Sequence, residues 1–252
     1  MGAQRLNQQR KAQDALSPYA EVLRRGAAQQ EPVSFNPETW RRYLTEHQRT
    51  EVVADLEHVL VRIPDGTIKR SHIKAMARDM AEGDVSALRR LFIATMIWGR
   101  GKSNGRMMPG FAKALSDTRI DLALVDSCET VSAAEAYRMW RSAGVSGLGE
   151  AFFTKWLWAV STRRNARHLA LVLDARVWRT LNQPISDGGL GWSSLVAADS
   201  RYRHLRYQAY VDACCSWADA LSCDAEDIEW ALFEAKGDLR NLQRGGASAL
   251  EV

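Results

Sequence analysis

The sequence predicts an all-α protein, a two-lobed helical bundle, and three features carry that expectation. Apolar residues recur at helical spacing along most of the chain, cap residues bracket the periodic stretches, and no segment alternates apolar and polar residues as a half-buried strand does. The composition agrees: 252 residues, 46% hydrophobic and 25% charged, describe a globular chain that can bury a sizeable core without disulfide or metal staples. Disordered and collagen-like chains are excluded by the same values.

Asn36-Pro37-Glu38 sets a capping side chain ahead of a proline at the first helical position and opens a helix through Trp40 and Leu44. After Asp84, the residues Val85, Leu88, Leu91, Phe92, Thr95 and Met96 repeat at helical spacing, and that helix should stop near Trp98-Gly99. Ser132 with Glu135 reads as a capping box, so 132–141 forms a helix ended by Gly144. Phe152, Phe153, Trp156, Leu157 and Val160 give an apolar face to a helix beginning near Gly149. Tyr207, Tyr210, Cys214, Trp217 and Leu221 mark another, and Asp224 caps a last one carrying Ile228, Ala231, Leu232 and Ala235. The apolar run at 169–173 is too short to separate a strand from a buried connector. Between these elements lie a basic, glycine-rich loop at 99–106, a flexible loop at 186–192 with an exposed-looking Trp192, and a frayed tail from Arg244.

Thirty-four Lys and Arg against thirty Asp and Glu leave a net charge of +4, which is compatible with an anionic partner without demanding one. Cys128, Cys214, Cys215 and Cys223 form neither a CxxC pair nor a His/Cys ligand set, so no metal or other cofactor is expected and reduced thiols are the default. No run approaches the apolar length of a membrane span and the basic N-terminus lacks an apolar core, so a cytoplasmic protein without membrane contact is expected.

The stretch Gly144-Val145-Ser146-Gly147-Leu148-Gly149 lies between two helices. Gly147 and Gly149 leave the N–H groups at the start of the second helix unshielded, where they can take a phosphate; the alternative is a tight turn with no ligand. Lys155 sits among large apolar residues of that helix. It either snorkels to water or, if desolvated, offers a neutral amine as nucleophile. Asp174 follows the apolar connector and opens a helix through Val177, Thr180 and Leu181. An N-cap accounts for it, and a helix N-terminus also favours a carboxylate anion suited to stabilising a cationic sugar. Amine and anion together supply the chemistry of N-glycosidic bond cleavage.

Helix, Gly147-Leu148-Gly149 turn, helix with Lys155, connector and Asp174 together resemble the helix-hairpin-helix DNA glycosylase superfamily, in its 8-oxoguanine glycosylase (OGG) branch. Phe153-Thr154-Lys155-Trp156-Leu157, Leu173-Asp174-Ala175-Arg176-Val177-Trp178 and the loop around Trp98-Gly99 and Gly105 carry the likeness. It is strongest over 85–182. The resemblance implies an active-site cleft between two lobes, duplex DNA held at the hairpin, a modified base flipped out of the stack, and its excision; a monomer is expected. In that light 1–35 is an N-terminal helical extension, 36–240 the two-lobed glycosylase domain and 241–252 a flexible tail. Asp174 and Lys155 are the catalytic candidates, Arg163, Arg164 and Arg106 join the hairpin as DNA contacts, and Trp98, Phe153, Trp178 and Trp217 are candidates for the base pocket.

One position departs from the family pattern. The lysine usually stands two residues after the second hairpin glycine, where this chain has Ala151. Lys155 is one turn further on the same helical face, and a helical side chain leans toward the preceding turn. Without that reach the enzyme would be monofunctional, Asp174 assisting a water; with it, strand nicking through a Schiff base is open. The resemblance suggests 8-oxoguanine as the excised base, and a glucosylated hydroxymethylcytosine of phage DNA is the alternative, giving repair or anti-phage defence respectively. A non-catalytic helix-hairpin-helix DNA-binding protein, or a helical interaction protein that meets no DNA, are the rival classes.

Overall fold

The computed structural model describes residues 2–46, 49–81, 83–100, 108–192 and 202–243. The chain divides into two compact units, one formed by Met1–Gln30 with Leu171–Val252 and the other by Glu31–Ala170. The first unit starts with α1 (Gly2–Leu16) and α2 (Ala20–Arg25). The second holds β1 (Val33–Ser34), α3 (Pro37–Thr45), α4 (Thr50–Arg62), β2 (Thr67–Ile68), α5 (Arg70–Arg78), α6 (Val85–Gly99), α7 (Met108–Ser116), α8 (Ile120–Cys128), α9 (Ala133–Ala143) and α10 (Glu150–Ser161). α11 (Ala175–Asn182), α12 (Arg203–Leu221) and α13 (Ala225–Ala235) complete the first unit. The fold is all-α apart from an antiparallel pair in which Val33 faces Ile68 and Ser34 faces Thr67. Strands of two residues are too short to show alternation in the sequence.

Cap side chains set the helix starts as their chemistry demands. Asn36 Oδ1 accepts the N–H groups of Glu38 and Thr39 at 2.9 and 3.3 Å, and Asp84 Oδ1 accepts that of Ala87 at 2.9 Å. Ser132 Oγ accepts the Glu135 N–H at 3.1 Å, but the Glu135 carboxylate returns to the N–H of Val131, one residue ahead of a capping box. A complete box, Asp224 with Asp227, opens α13.

In the second unit α6 is buried on nearly all sides. Phe92 lies 5.8, 6.0 and 5.6 Å from the ring centres of Phe111, Trp140 and Trp156, and the buried Asp55–Arg89 ion pair at 2.7 Å ties α4 to α6. In the first unit the N-terminal segment docks on the C-terminal helices. Ala27 N–H donates to Asp227 at 2.8 Å and Trp217 Nε1 to the Gln9 carbonyl at 3.1 Å, across 200 and 208 positions of sequence.

The loop at 186–192 corrects an expectation. Trp192 is buried against Trp217, ring centres 6.4 Å apart. Leu190, Gly191 and Trp192 donate their N–H groups to the carbonyls of Thr180, Gln183 and Leu181 at 2.8–2.9 Å, so the segment is pinned onto α11. Leu242 is buried as well, while the tail from Arg244 lies outside the described residues. No described helix is long and apolar enough to cross a membrane.

Candidate active site

α9 ends at Gly144, whose φ of 66° is the left-handed conformation that stops a helix, and α10 starts from Gly149 with no side-chain cap. Gly147, at φ 93°, runs backbone to backbone against Gly110 of α7. A Cβ at Gly147 would meet the Gly110 carbonyl, so both the dihedral and the space require glycine there. Asp117 braces the turn, accepting from Arg119 at 2.7 Å and from the Ser146 N–H at 3.5 Å; the Arg119 bonds hold its carboxyl far below the usual carboxylate range.

At Gly149 the opposite holds, since a Cβ would meet nothing within 4 Å. Phe152 and Phe153 bond back to the Gly149 carbonyl at 3.0 and 3.2 Å, while the N–H groups of Gly149 and Ala151 find no acceptor among the described residues. Glu150 is drawn aside by the Tyr137 hydroxyl, which donates to it at 2.6 Å. What results is a helix N-terminus with outward, unscreened donors, the chemistry that accepts a phosphate oxygen.

Lys155 lies on α10 and is 8% exposed. Its Nζ donates to the Ala151 carbonyl at 3.0 Å and stands 5.7 Å from the Phe152 ring centre. The stem passes over Gly99, where a Cβ would come within 2.6 Å of Lys155 Cδ. Gly99 therefore makes the room that the lysine occupies, a role the sequence hinted at only through the glycine-rich loop.

Asp174 is the half-buried N-cap of α11, accepting the N–H groups of Arg176 and Val177 at 2.9 and 3.1 Å. Residues 170–173 before it are buried, and their backbone is held by α12: Tyr207 Oη donates to the Leu171 carbonyl at 2.6 Å and accepts the Leu171 N–H at 3.2 Å, and Tyr210 Oη donates to the Val172 carbonyl at 2.8 Å. The run at 169–173 is thus a connector and not a strand. The periodicity that marks α12 puts both tyrosines on its buried face, and it reports which face is buried and not what a hydroxyl does there.

The aromatic candidates are distributed differently. Phe153 is buried in the second unit, stacked on Trp140 and edge-on to Tyr137 at 6.1 and 4.9 Å. Trp217 is buried in the first unit. Trp98 packs at 5.0 Å on Trp158, with the buried Arg70 guanidinium 5.0 and 4.9 Å from the two ring centres. Trp178 is half-buried, one face covered by the Arg206 guanidinium at 4.4 Å. Arg163 gives its Nη2 to the Cys128 carbonyl at 2.6 Å and Arg164 is exposed. Arg106 lies outside the described residues.

An all-α chain with two helices joined by a glycine hairpin, a buried lysine on the second helix and a carboxylate capping a later one defines a helix-hairpin-helix protein. The model of a family described as "Putative 8-oxoguanine DNA glycosylase OGG-like protein" matches residues 26–233, and the chain belongs to that family. No curated protein and no solved structure matches it.

Proposed function

We propose that this protein is a DNA base glycosylase that extrudes a modified base from duplex DNA and cleaves its N-glycosidic bond. The observation that carries the reading is Asp174, a carboxylate fixed by two backbone N–H groups on a connector that two buried tyrosine hydroxyls hold in place. Such an anion cannot relax away as the C1′–N bond breaks, so it stabilises the positive charge that develops on the deoxyribose when the bonding pair leaves with the base. Lys155 is the nucleophile in this reading. Its Nζ beside the Ala151 carbonyl supports occupation of the space that the family's lysine normally fills, and attack at C1′ followed by ring opening and proton loss gives the Schiff base. The open N-terminus of α10 takes a backbone phosphate and Arg164 and Arg106 add charge to the DNA contact, while Arg163 is held by the Val160 and Cys128 carbonyls. Of the four aromatic candidates Trp178 is the half-buried one able to meet a base, since Trp98, Phe153 and Trp217 are buried. The family description makes 8-oxoguanine the first substrate to test.

Duplexes carrying 8-oxoguanine, or glucosylated hydroxymethylcytosine, are incubated with the protein and scored for abasic sites, with and without borohydride. Asp174→Asn should lower base release by about 10²-fold or more, as loss of one preorganised electrostatic group does. Lys155→Ala should remove the borohydride-trapped adduct. Abasic product without trapping in the unaltered protein would make it monofunctional, and duplex binding without any base release would leave the non-catalytic class.

A further inference from the structure

A cavity of about 540 Å³ lies in the second unit, where the C-terminal ends of α5, α8 and α10 meet. Its wall carries Arg78, Arg163, Arg164 and Arg167 against the carboxylates Asp79 and Glu129. Asp79 is already engaged by Arg62 at 2.8 Å. Arg163 is committed through Nε and Nη2 to the carbonyls of Val160 and Cys128 at 3.3 and 2.6 Å, which fastens the end of α10 to the end of α8. The side chains of Arg78, Arg164 and Arg167 have neither a hydrogen bond nor an ion pair among the described residues. Burial pushes the Cys128 thiol in the same wall up to about 12, so it stays neutral and does not repel an anion.

Three guanidinium groups without a partner stand around this concavity against one uncommitted carboxylate, Glu129, and an anion entering between them relieves the repulsion that remains. Their planar, forked donors match the oxygens of a phosphate better than those of any other common biological anion except a carboxylate. The cavity stands at the opposite end of α10 from the hairpin. With twelve residues at about 1.5 Å each, α10 separates the two by about 18 Å, roughly five base steps of duplex. A phosphodiester of the duplex is the fitting occupant, since the proposed function makes duplex DNA the anionic partner and the forked donors match its phosphate oxygens.

We propose that the cavity formed by Arg78, Arg164 and Arg167 is a second DNA-backbone grip, which holds a phosphodiester while the hairpin holds another. The proposal rests on the DNA-binding reading above and extends it to a contact that neither the glycine turn nor the catalytic candidates supply.

Binding of a fluorescent duplex is measured by anisotropy between 50 and 200 mM salt for the unaltered protein, for Arg164→Ala/Arg167→Ala, and for Lys11→Ala/Arg25→Ala, which removes equal charge from α1 and α2. The cavity variant should bind about 10-fold more weakly and show a salt slope shallower by about one to two, because each lost phosphate contact takes away about 0.9. The control variant should keep both values. Methylphosphonate substitution along the duplex should give two separated clusters of sensitive phosphates with the unaltered protein and one with the cavity variant. An unchanged slope in the cavity variant, an equal loss in the control, or tighter binding of inorganic phosphate or a free deoxynucleotide than of duplex would overturn the second grip while leaving the glycosylase reading intact. An unaltered protein that binds no duplex removes both.

Discussion

Replacing Tyr207 by Phe removes a single oxygen atom from the interior of the first unit. That oxygen serves both backbone groups of Leu171, the carbonyl at 2.6 Å and the N–H at 3.2 Å, and both residues are fully buried. Tyr207→Phe leaves a buried donor and a buried acceptor with no partner among the described residues. Each orphaned group costs about 1–3 kcal/mol, partly offset because the variant no longer buries a hydroxyl, so the loss should be about 2–4 kcal/mol. Tyr210→Phe breaks one bond to Val172 and should lose about half as much. Urea unfolding followed by tryptophan fluorescence should show a lower midpoint with an unchanged slope, since the same surface is exposed. Leu171 stands three residues before Asp174, so a loosened connector also loosens the cap. Base release by Tyr207→Phe should therefore fall even at temperatures where the variant is fully folded. A Tyr207→Phe protein within about 0.5 kcal/mol of the unaltered chain, the usual scatter of neutral substitutions, with full base release, would show that the hydroxyl does not hold the connector.

Gly99→Ala sets a methyl group 2.6 Å from Lys155 Cδ and forces the lysine stem to move. Borohydride trapping should drop by about 10- to 100-fold, the scale of an ångström-sized misplacement, with duplex affinity retained; undiminished trapping would separate Gly99 from the lysine. His168 gives its Nδ1–H to the Thr130 carbonyl at 3.0 Å, and burial holds its pKa below the ordinary 6.5. The folded chain then binds fewer protons than the unfolded one as pH falls through 6.5, so this residue's share of stability is full above that value and shrinks below it. His168→Gln should flatten the decline of the urea midpoint between pH 7.5 and 5.5, a difference of slope that parallel curves for the two proteins would rule out.

Local signals were legible where a side chain acts on its own neighbourhood. Asn36, Asp84, Ser132 and Asp174 each cap the helix that follows because the orphan N–H groups lie two or three residues away. Gly144 follows from backbone conformation in the same way, whereas Gly147 also answers to the close approach of Gly110. The glycine-rich surrounding of Trp192 suggests exposure, whereas its burial depends on Trp217 and on the backbone bonds of 190–192 to Thr180, Leu181 and Gln183. The docking of α1 and α2 with the segment that follows on α12 and α13 gives no sign in the sequence, since its partners are some two hundred positions away.

The sequence by itself determined that the chain is helical, where a glycine turn divides α9 from α10, and that Asp174 caps the helix after the connector, because caps, turns and periodicity act over a few residues. Only the tertiary structure decided that Lys155 lies over Gly99, that Tyr207 and Tyr210 fix the approach to Asp174, and that Arg78 joins Arg164 and Arg167 around one cavity. Those pairings bring together residues from helices far apart in the chain. No short-range rule encodes them; they arise when the buried faces of the helices pack.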